Sequence, residues 1–277
     1  MATACKANAR RHDGDMASLA TARGRIGYEK AGGGNGLPIL FLHGVGSDKS
    51  VWAPQLAHFG KSRRAVAIEY PGYGDSEFVE GATRDDFAAS ILAAMDSLGI
   101  ARAHICGLSL GGVIALAIHA ASPRRCASLI IADSFAAHPD GQGIYDRSVA
   151  ASRSMTMRAM AEARTPVLLG SAATQELKRE VIDTMAAIDP AAFRLGAAAV
   201  WLADQRDRAA AIDVPTLILC GDEDAVTPPA LSEQLGKLIA GSRVEMILAS
   251  GHLANAEQPR HFNAAIDRFL GEFETPA

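Results

Sequence analysis

The sequence predicts an α/β protein: a mostly parallel central sheet flanked by helices, with a helical segment inserted near its middle. Three observations carry this prediction. Six short apolar runs rich in branched residues alternate with stretches of helical pattern. The runs are apolar throughout rather than at every second position, as strands buried on both faces require. The alternation breaks once, between Ser134 and Ala211, where helical patterns follow one another without a strand.

The strands, in order, are expected at Pro38–His43, Arg64–Glu69, Ala103–Cys106, Ser128–Ala132, Thr216–Cys220 and Val244–Leu248. Between them, Arg84–Leu98 opens with Asp85 and Asp86, favourable at a helix N-terminus, and stops at Gly99. Leu110–Ala121, Pro229–Ile239 and Pro259–Leu270 complete the alternation, which implies a parallel sheet. Inside the insertion, helices are expected at Arg147–Ala163, Gln175–Ile188 and Ala191–Gln205. The domain reading is therefore a disordered tail over residues 1–20, a core from 21–133 and 212–277, and a helical lid over 134–211.

Composition limits the function classes. The chain has 277 residues, 49% of them hydrophobic and 21% charged, with 27 Lys+Arg against 31 Asp+Glu for a net charge of −4. That content excludes disorder, and the acidic balance disfavours a general nucleic-acid binder. Four cysteines (Cys5, Cys106, Cys126, Cys220) show no metal-ligand spacing. Three of them sit in apolar runs, which suits small core residues in a reducing cytoplasm. Residues 1–18 carry basic groups without an apolar stretch, unlike a secretory signal. Ala103–Pro123 holds no Asp, Glu, Lys or Arg, about the length of a membrane span. Its three glycines, two serines and two histidines instead fit two buried elements joined by a sharp turn.

That turn carries the chemistry. Gly107-Leu108-Ser109-Leu110-Gly111-Gly112 follows an expected strand and precedes an expected helix, the context of a nucleophile elbow. Glycines flank Ser109 because side chains there would collide when the serine is held on a strained turn. A serine hydroxyl needs a base, and the base needs an orienting carboxylate. His252 follows the strand Val244–Leu248, and Asp224 follows the strand Thr216–Cys220. All three residues thus fall at C-terminal strand ends, which parallel strands bring to one edge of the sheet. Oxyanion donors are expected from the N–H of Leu110, at the helix start, and of Val45, in the loop His43-Gly44-Val45-Gly46.

These motifs, with Tyr70-Pro-Gly-Tyr-Gly-Asp-Ser76, the Gly221–Asp224 turn with Thr227-Pro228, and Gly251-His252, resemble the α/β-hydrolase superfamily over about residues 24–271. Within it, Gly107–Gly112 and His252-Leu-Ala-Asn-Ala-Glu-Gln-Pro259 resemble the 3-oxoadipate enol-lactonase and carboxylesterase branch. The resemblance implies a triad of Ser109, Asp224 and His252, an oxyanion hole at Val45 and Leu110, no metal or other cofactor, and a small ester or lactone as substrate. The lactonases often carry an Arg-Trp-Phe-like lid stretch where this chain has Ala163-Arg-Thr-Pro-Val-Leu168. The alternative activity is carbon–carbon bond hydrolysis of ring-cleavage products. That family typically has a tryptophan where Ala256 stands and a proline in the loop that here reads Val45-Gly46-Ser47. Cofactor-free haloperoxidase-like oxidation shares the triad, and a slow-turnover binding protein of the same fold is the reading from outside catalysis. Haloalkane dehalogenation is excluded, because it needs a carboxylate at the elbow.

Further residues have two readings each. Asp133, ending the strand before the insertion, competes with Asp224 as the acid. His43 reads as a structural ring holding loop backbone. His104 and His119 read as satisfied core or surface histidines. Phe135, Met155 and Trp201 are the expected substrate contacts, with ordinary packing as the competing reading. Arg147, Arg153, Arg158 and Arg164 could meet a substrate carboxylate, against the commoner reading of a solvated helix face.

Overall fold

A computed structural model describes residues 17–272. Its eight strands are β1 (Ala17–Thr21), β2 (Gly24–Ala31), β3 (Gly36–Leu42), β4 (Arg63–Ile68), β5 (Ala103–Leu108), β6 (Cys126–Ala132), β7 (Thr216–Gly221) and β8 (Arg243–Ile247). They form one sheet in the order β1-β2-β4-β3-β5-β6-β7-β8. Pairing is antiparallel at β1–β2 and β2–β4 and parallel elsewhere. All six strands expected from the sequence are present.

The strand at Ala17–Thr21 corrects one expectation, since residues 17–20 are sheet rather than tail. A tight turn produces it: the Thr21 hydroxyl donates to the Gly24 carbonyl at 2.8 Å and accepts the Arg23 N–H at 3.0 Å. The rest of the expected tail, residues 1–16, lies outside the described residues.

Side-chain alternation divides the core in two. Leu40, Leu42, Val66, Ile105, Ile131 and Ile218 face one layer of helices. That layer contains α2 (Arg84–Ser97), α3 (Leu110–Ala121) and α9 (Pro229–Leu238). Ile39, Phe41, Ala67, Cys106, Ile130 and Leu217 face the opposite layer, formed by α1 (Ala53–Phe59) and α11 (Pro259–Gly271). Helix α2 starts where Thr83 and Asp86 exchange side-chain and backbone hydrogen bonds, a capping box. The run Ala103–Pro123 divides into β5 and α3, and among the described residues no helix is long and apolar enough to cross a membrane.

Between β6 and β7 stand α4 (Gly141–Ser154), α5 (Met157–Leu168), α6 (Gln175–Ala186), α7 (Pro190–Trp201) and α8 (Arg206–Ala210). The helix expected over Arg147–Ala163 is two. Met155 is extended, at φ −124° and ψ 159°, and the Thr156 side chain accepts the Ala159 N–H at 3.2 Å to cap a new helix. The ends of the insertion meet at its neck, where the Gln205 N–H donates to the Ala136 carbonyl at 2.8 Å. The Gln205 amide reaches the Val113 carbonyl on α3 at 2.7 Å, pinning the insertion to the core.

Candidate active site

Ser109 stands between β5 and α3 at φ 54° and ψ −111°, a conformation that non-glycine residues rarely adopt. The sequence around it permits this. A Cβ on Gly107 would strike the Gly111 carbonyl, one on Gly111 the Leu42 carbonyl, and one on Gly112 the Ser134 side chain. The turn is then held from outside: the Ser109 N–H donates to the Ala132 carbonyl, and the Ser134 hydroxyl donates to the Ser109 carbonyl, both at 2.8 Å.

The three residues expected at strand ends converge. His252 Nε2 lies 2.9 Å from Ser109 Oγ, and His252 Nδ1 lies 2.8 Å from Asp224 Oδ2. All three are buried. Asp224 is fixed by its own turn: Oδ1 accepts the N–H groups of Val226 and Thr227 at 2.7 and 3.0 Å, and Oδ2 accepts the Thr227 hydroxyl at 2.7 Å. Burial pushes the Asp224 carboxyl up, but the His252 and Thr227 interactions outweigh it and hold the group at about 2. An ionised acceptor at Nδ1 leaves Nε2 to receive the serine proton.

Asp133 does not compete for the histidine in this structure. Its Oδ1 accepts the Gly221 N–H at 2.8 Å, and burial, with the Asp224 charge nearby, pushes its carboxyl well above the usual range. Asp133, Cys220 and Asp224 form the one group of possible metal-ligand atoms among the described residues. It makes a poor cation site. Burial raises the Cys220 thiol and the Asp133 carboxyl, which disfavours the charged forms a cation would need, and Asp133 and Asp224 are already engaged by Gly221 and His252.

The loop after β3 approaches Ser109 from the other side. A Cβ on Gly44 would lie 3.5 Å from the Ser109 Cβ. His43 is wholly buried, and burial lowers its pKa to about 4 despite the Gly44 bond. The neutral ring contacts the Gly44 carbonyl through Nδ1 at 2.8 Å, in keeping with its structural reading. Tyr70 and Tyr73 donate their hydroxyls to the carbonyls of His43 and Val45 at 3.1 and 3.2 Å. The peptides of this loop are thus held from behind. Leu110 opens α3, where an N–H has no carbonyl one turn earlier within the helix.

A cavity of about 220 Å³ opens onto Ser109 and His252, walled by the β3 loop, by α5 and α6, and by the α10 turn (Ala254–Glu257). Val45 and Trp201 line it. Two expected substrate contacts are corrected. Met155 sits at the break between α4 and α5, 42% exposed, outside the cavity wall. Phe135 is buried behind the wall, stacked on Trp201 with ring centroids 5.7 Å apart. Residues that sequence reasoning passed over, among them Pro54, Leu168, Leu177 and Val181, form much of the lining. Arg164 also lines it, whereas Arg147 and Arg158 are exposed and paired with Asp140 and Asp183.

A nucleophile elbow on a doubly flanked parallel sheet, with acid and base at later strand ends, is the arrangement of an α/β hydrolase. The family model for the alpha/beta hydrolase fold matches residues 38–259, and the chain belongs to that family. The 3-oxoadipate enol-lactonase 1 of Acinetobacter baylyi is 30% identical over 238 residues, covering 85% of this chain and 89% of the relative. The crystal structure of the enol-lactonase from Burkholderia xenovorans matches with a TM-score of 0.86 and 28% identity, over 92% of this chain and 99% of that one. A thermophilic esterase from Thermogutta terrifontis matches with a TM-score of 0.86 and 26% identity, over 94% and 100% of the two chains.

Proposed function

We propose that this protein is a cofactor-independent serine hydrolase of carboxylic esters or lactones, working through an acyl-enzyme in the cytoplasm beneath a lid formed by α4–α8. One observation carries the reading: the unbroken hydrogen-bond chain from Ser109 Oγ through His252 to Asp224, opening onto a cavity. Ser109 attacks the substrate carbonyl while His252 Nε2 takes its proton. Asp224 holds the imidazole and favours its charged form. The N–H groups of Val45 and Leu110 stabilise the tetrahedral oxyanion, each worth about 3–4 kcal/mol in comparable sites. His252 then protonates the leaving oxygen, and water that it activates releases the acid. For a lactone the leaving oxygen stays tethered, so one ring-opened product forms. The enol-lactonase and esterase relatives support this substrate class. The buried free thiols of Cys106, Cys126 and Cys220 fit a reducing compartment.

The test is hydrolysis of short-chain 4-nitrophenyl esters and of an enol-lactone by the wild-type protein and by Ser109→Ala. Turnover lost in the variant, with an acyl adduct on the Ser109 peptide found by mass spectrometry, is the expected result. Undiminished turnover in Ser109→Ala would end the proposal.

A further inference from the structure

The turn after β4 and the loop after β3 meet beneath one helix of the insertion. Tyr73 lies in the turn, buried, and its hydroxyl donates to the Val45 carbonyl at 3.2 Å. The turn is anchored to the sheet side of the protein. The Tyr73 N–H donates to the Tyr70 carbonyl at 3.0 Å, the Ser76 N–H donates to the Tyr73 carbonyl at 2.9 Å, and the Ser76 hydroxyl accepts the Gly27 N–H of β2 at 2.9 Å. Helix α7 packs against the same tyrosine. A Cβ on Gly196 would run into the Tyr73 hydroxyl and lie 3.0 Å from Val45 Cγ2. One turn earlier on the same face of α7, the Ala192 Cβ would lie 3.0 Å from a Cβ on Gly72. Position 196 thus leaves room for the hydroxyl because it lacks a side chain. A second helix reaches the loop as well, since a Cβ on Gly46 would lie 3.4 Å from Met185 Sδ on α6.

What this arrangement fixes is the backbone on either side of Val45. The peptide before it carries the N–H proposed as an oxyanion donor, and the oxygen of that peptide, on Gly44, contacts His43 Nδ1 at 2.8 Å. The peptide after it carries the oxygen that accepts the Tyr73 hydroxyl. One clamp is therefore a buried imidazole, and the other is a phenol whose place depends on α7. The Tyr73 ring has little freedom of its own, with the His43 and Tyr70 rings at centroid distances of 4.9 and 6.0 Å. Burial raises the phenol above its ordinary range, which keeps it a donor. An oxyanion donor is effective only when aimed in advance at the position where charge develops, so a small rotation of the Val45 peptides weakens it.

We propose that Tyr73 is a positioning residue: its hydroxyl, in the room that Gly196 leaves for it, passes the seating of α7 on to the Val45 peptides and so to the oxyanion donor. The coupling stands on the geometry of Tyr73, Gly196 and Val45, while the use made of the Val45 N–H rests on the serine-hydrolase reading.

The experiment uses Tyr73→Phe, Gly196→Ala and the double variant, with 4-nitrophenyl butyrate as substrate and propyl trifluoromethyl ketone as inhibitor. The ketone's adduct with a serine carries an oxyanion, so the readout is its Ki divided by the KM of the ester, a ratio that does not depend on the fraction of protein folded. Tyr73→Phe is expected to raise the ratio about tenfold and to lower kcat by as much, with KM within about twofold of wild type, the pattern of an interaction made only in the transition state. Gly196→Ala should do the same. Because the added methyl and the hydroxyl contend for one space, the double variant should be no worse than Tyr73→Phe. A ratio unmoved in Tyr73→Phe, or single losses that multiply in the double variant, overturns the proposal. If Gly196→Ala is too unstable to assay, removing the hydroxyl in the double variant should restore folding, and failure of both overturns the shared space. A second arm needs no turnover. Val45-Gly46 is the one Val-Gly pair in the sequence, so carbonyl-¹³C valine combined with ¹⁵N glycine gives it a single NMR cross-peak. The Val45 carbonyl shift should move in Tyr73→Phe and in Gly196→Ala, and Gly196→Ala should add little once the hydroxyl is gone. Those shifts with no ester turned over by wild type would support the coupling, and the hydrolase reading alone would have failed. A Val45 signal indifferent to Gly196→Ala would end the coupling.

Discussion

The main-chain N–H of His252 donates to the carbonyl oxygen of Leu168 at 2.8 Å, joining the loop after β8 directly to the end of α5. A single carboxylate seals the junction. Glu257 accepts the Gly170 N–H on Oε2 at 2.7 Å and the Gly251 N–H on Oε1 at 2.9 Å. The two glycines permit so close an approach, since a Cβ on Gly251 would come within 2.6 Å of the Gly170 nitrogen. The helical insertion and the histidine are therefore one mechanical unit at this point.

Glu257→Gln tests that unit. A glutamine oxygen can serve one of the two N–H groups, but its amide faces the other with a second donor, costing about 1–3 kcal/mol. We expect faster hydrogen exchange at the Gly170 and Gly251 amides and a several-fold fall in kcat. Unchanged exchange at both amides would show that the carboxylate does not hold the junction.

Asp224 gives a prediction in pH. Its carboxyl is held at about 2 against an ordinary 3.8. The shift is downward, so its contribution is fully present above the unfolded value and is lost as pH falls through the folded one. The shift corresponds to about 2 kcal/mol at neutral pH, of which about half remains at pH 3. Asp224→Asn should therefore be about 2 kcal/mol less stable than wild type at pH 7 in urea unfolding, with the gap narrowing by about 1 kcal/mol at pH 3. With Asp224 as the orienting acid of the proposed mechanism, kcat should fall about 10³–10⁴-fold. A stability gap independent of pH would remove the ionised carboxylate from the folding balance.

Much of this site was legible in the sequence because each part carries a local signature. Ser109 has glycines that only a sharp turn requires, and Asp224 and His252 each follow an apolar strand within a few residues. The central strands were legible for the same reason, being apolar on both faces. The edge pair β1 and β2 was not, because β2 is half-exposed and mixes Arg, Tyr, Glu and Lys with its apolar residues. Nor did the helix pattern show the break at Met155, where a threonine cap decides the matter. Arg158 and Arg164 look alike in sequence. Only tertiary packing makes one an exposed partner of Asp183 and the other part of the cavity wall.

Backbone strain at Ser109 separates two variants that lack the hydroxyl. Ser109→Ala and Ser109→Gly both lose the hydroxyl and its contact with His252, but only glycine accepts φ 54° and ψ −111° without steric cost. Strain of this kind is worth about 1–3 kcal/mol, and the extra freedom of glycine in the unfolded chain returns part of it. Ser109→Gly should be more stable than Ser109→Ala by about 1 kcal/mol, a difference of about 2–4 °C in Tm for a domain of this size. Equal midpoints would mean that the elbow is held without strain.

The last prediction concerns the ion pair beneath the β3 loop. Lys49 Nζ lies 2.8 Å from Glu69 Oε1 and 2.9 Å from Asp75 Oδ2. Glu69 is wholly buried and also accepts the Asp75 N–H at 2.8 Å, in a space so tight that a Cβ on Gly27 or Gly74 would overlap its carboxylate. Burial pushes the Glu69 carboxyl up, while Lys49 works to keep it ionised. Removing the cation alone, as in Lys49→Met, leaves that carboxylate buried without a counter-charge, and unfolding measurements should show a loss of about 3–5 kcal/mol. Adding Glu69→Gln removes the charge yet keeps an oxygen for the Asp75 N–H, so Lys49→Met/Glu69→Gln should recover more than half of the loss. The double-mutant cycle isolates the pair. If the two losses simply added, the stability of this turn would reside in packing around Tyr70 and Tyr73 rather than in the charge pair.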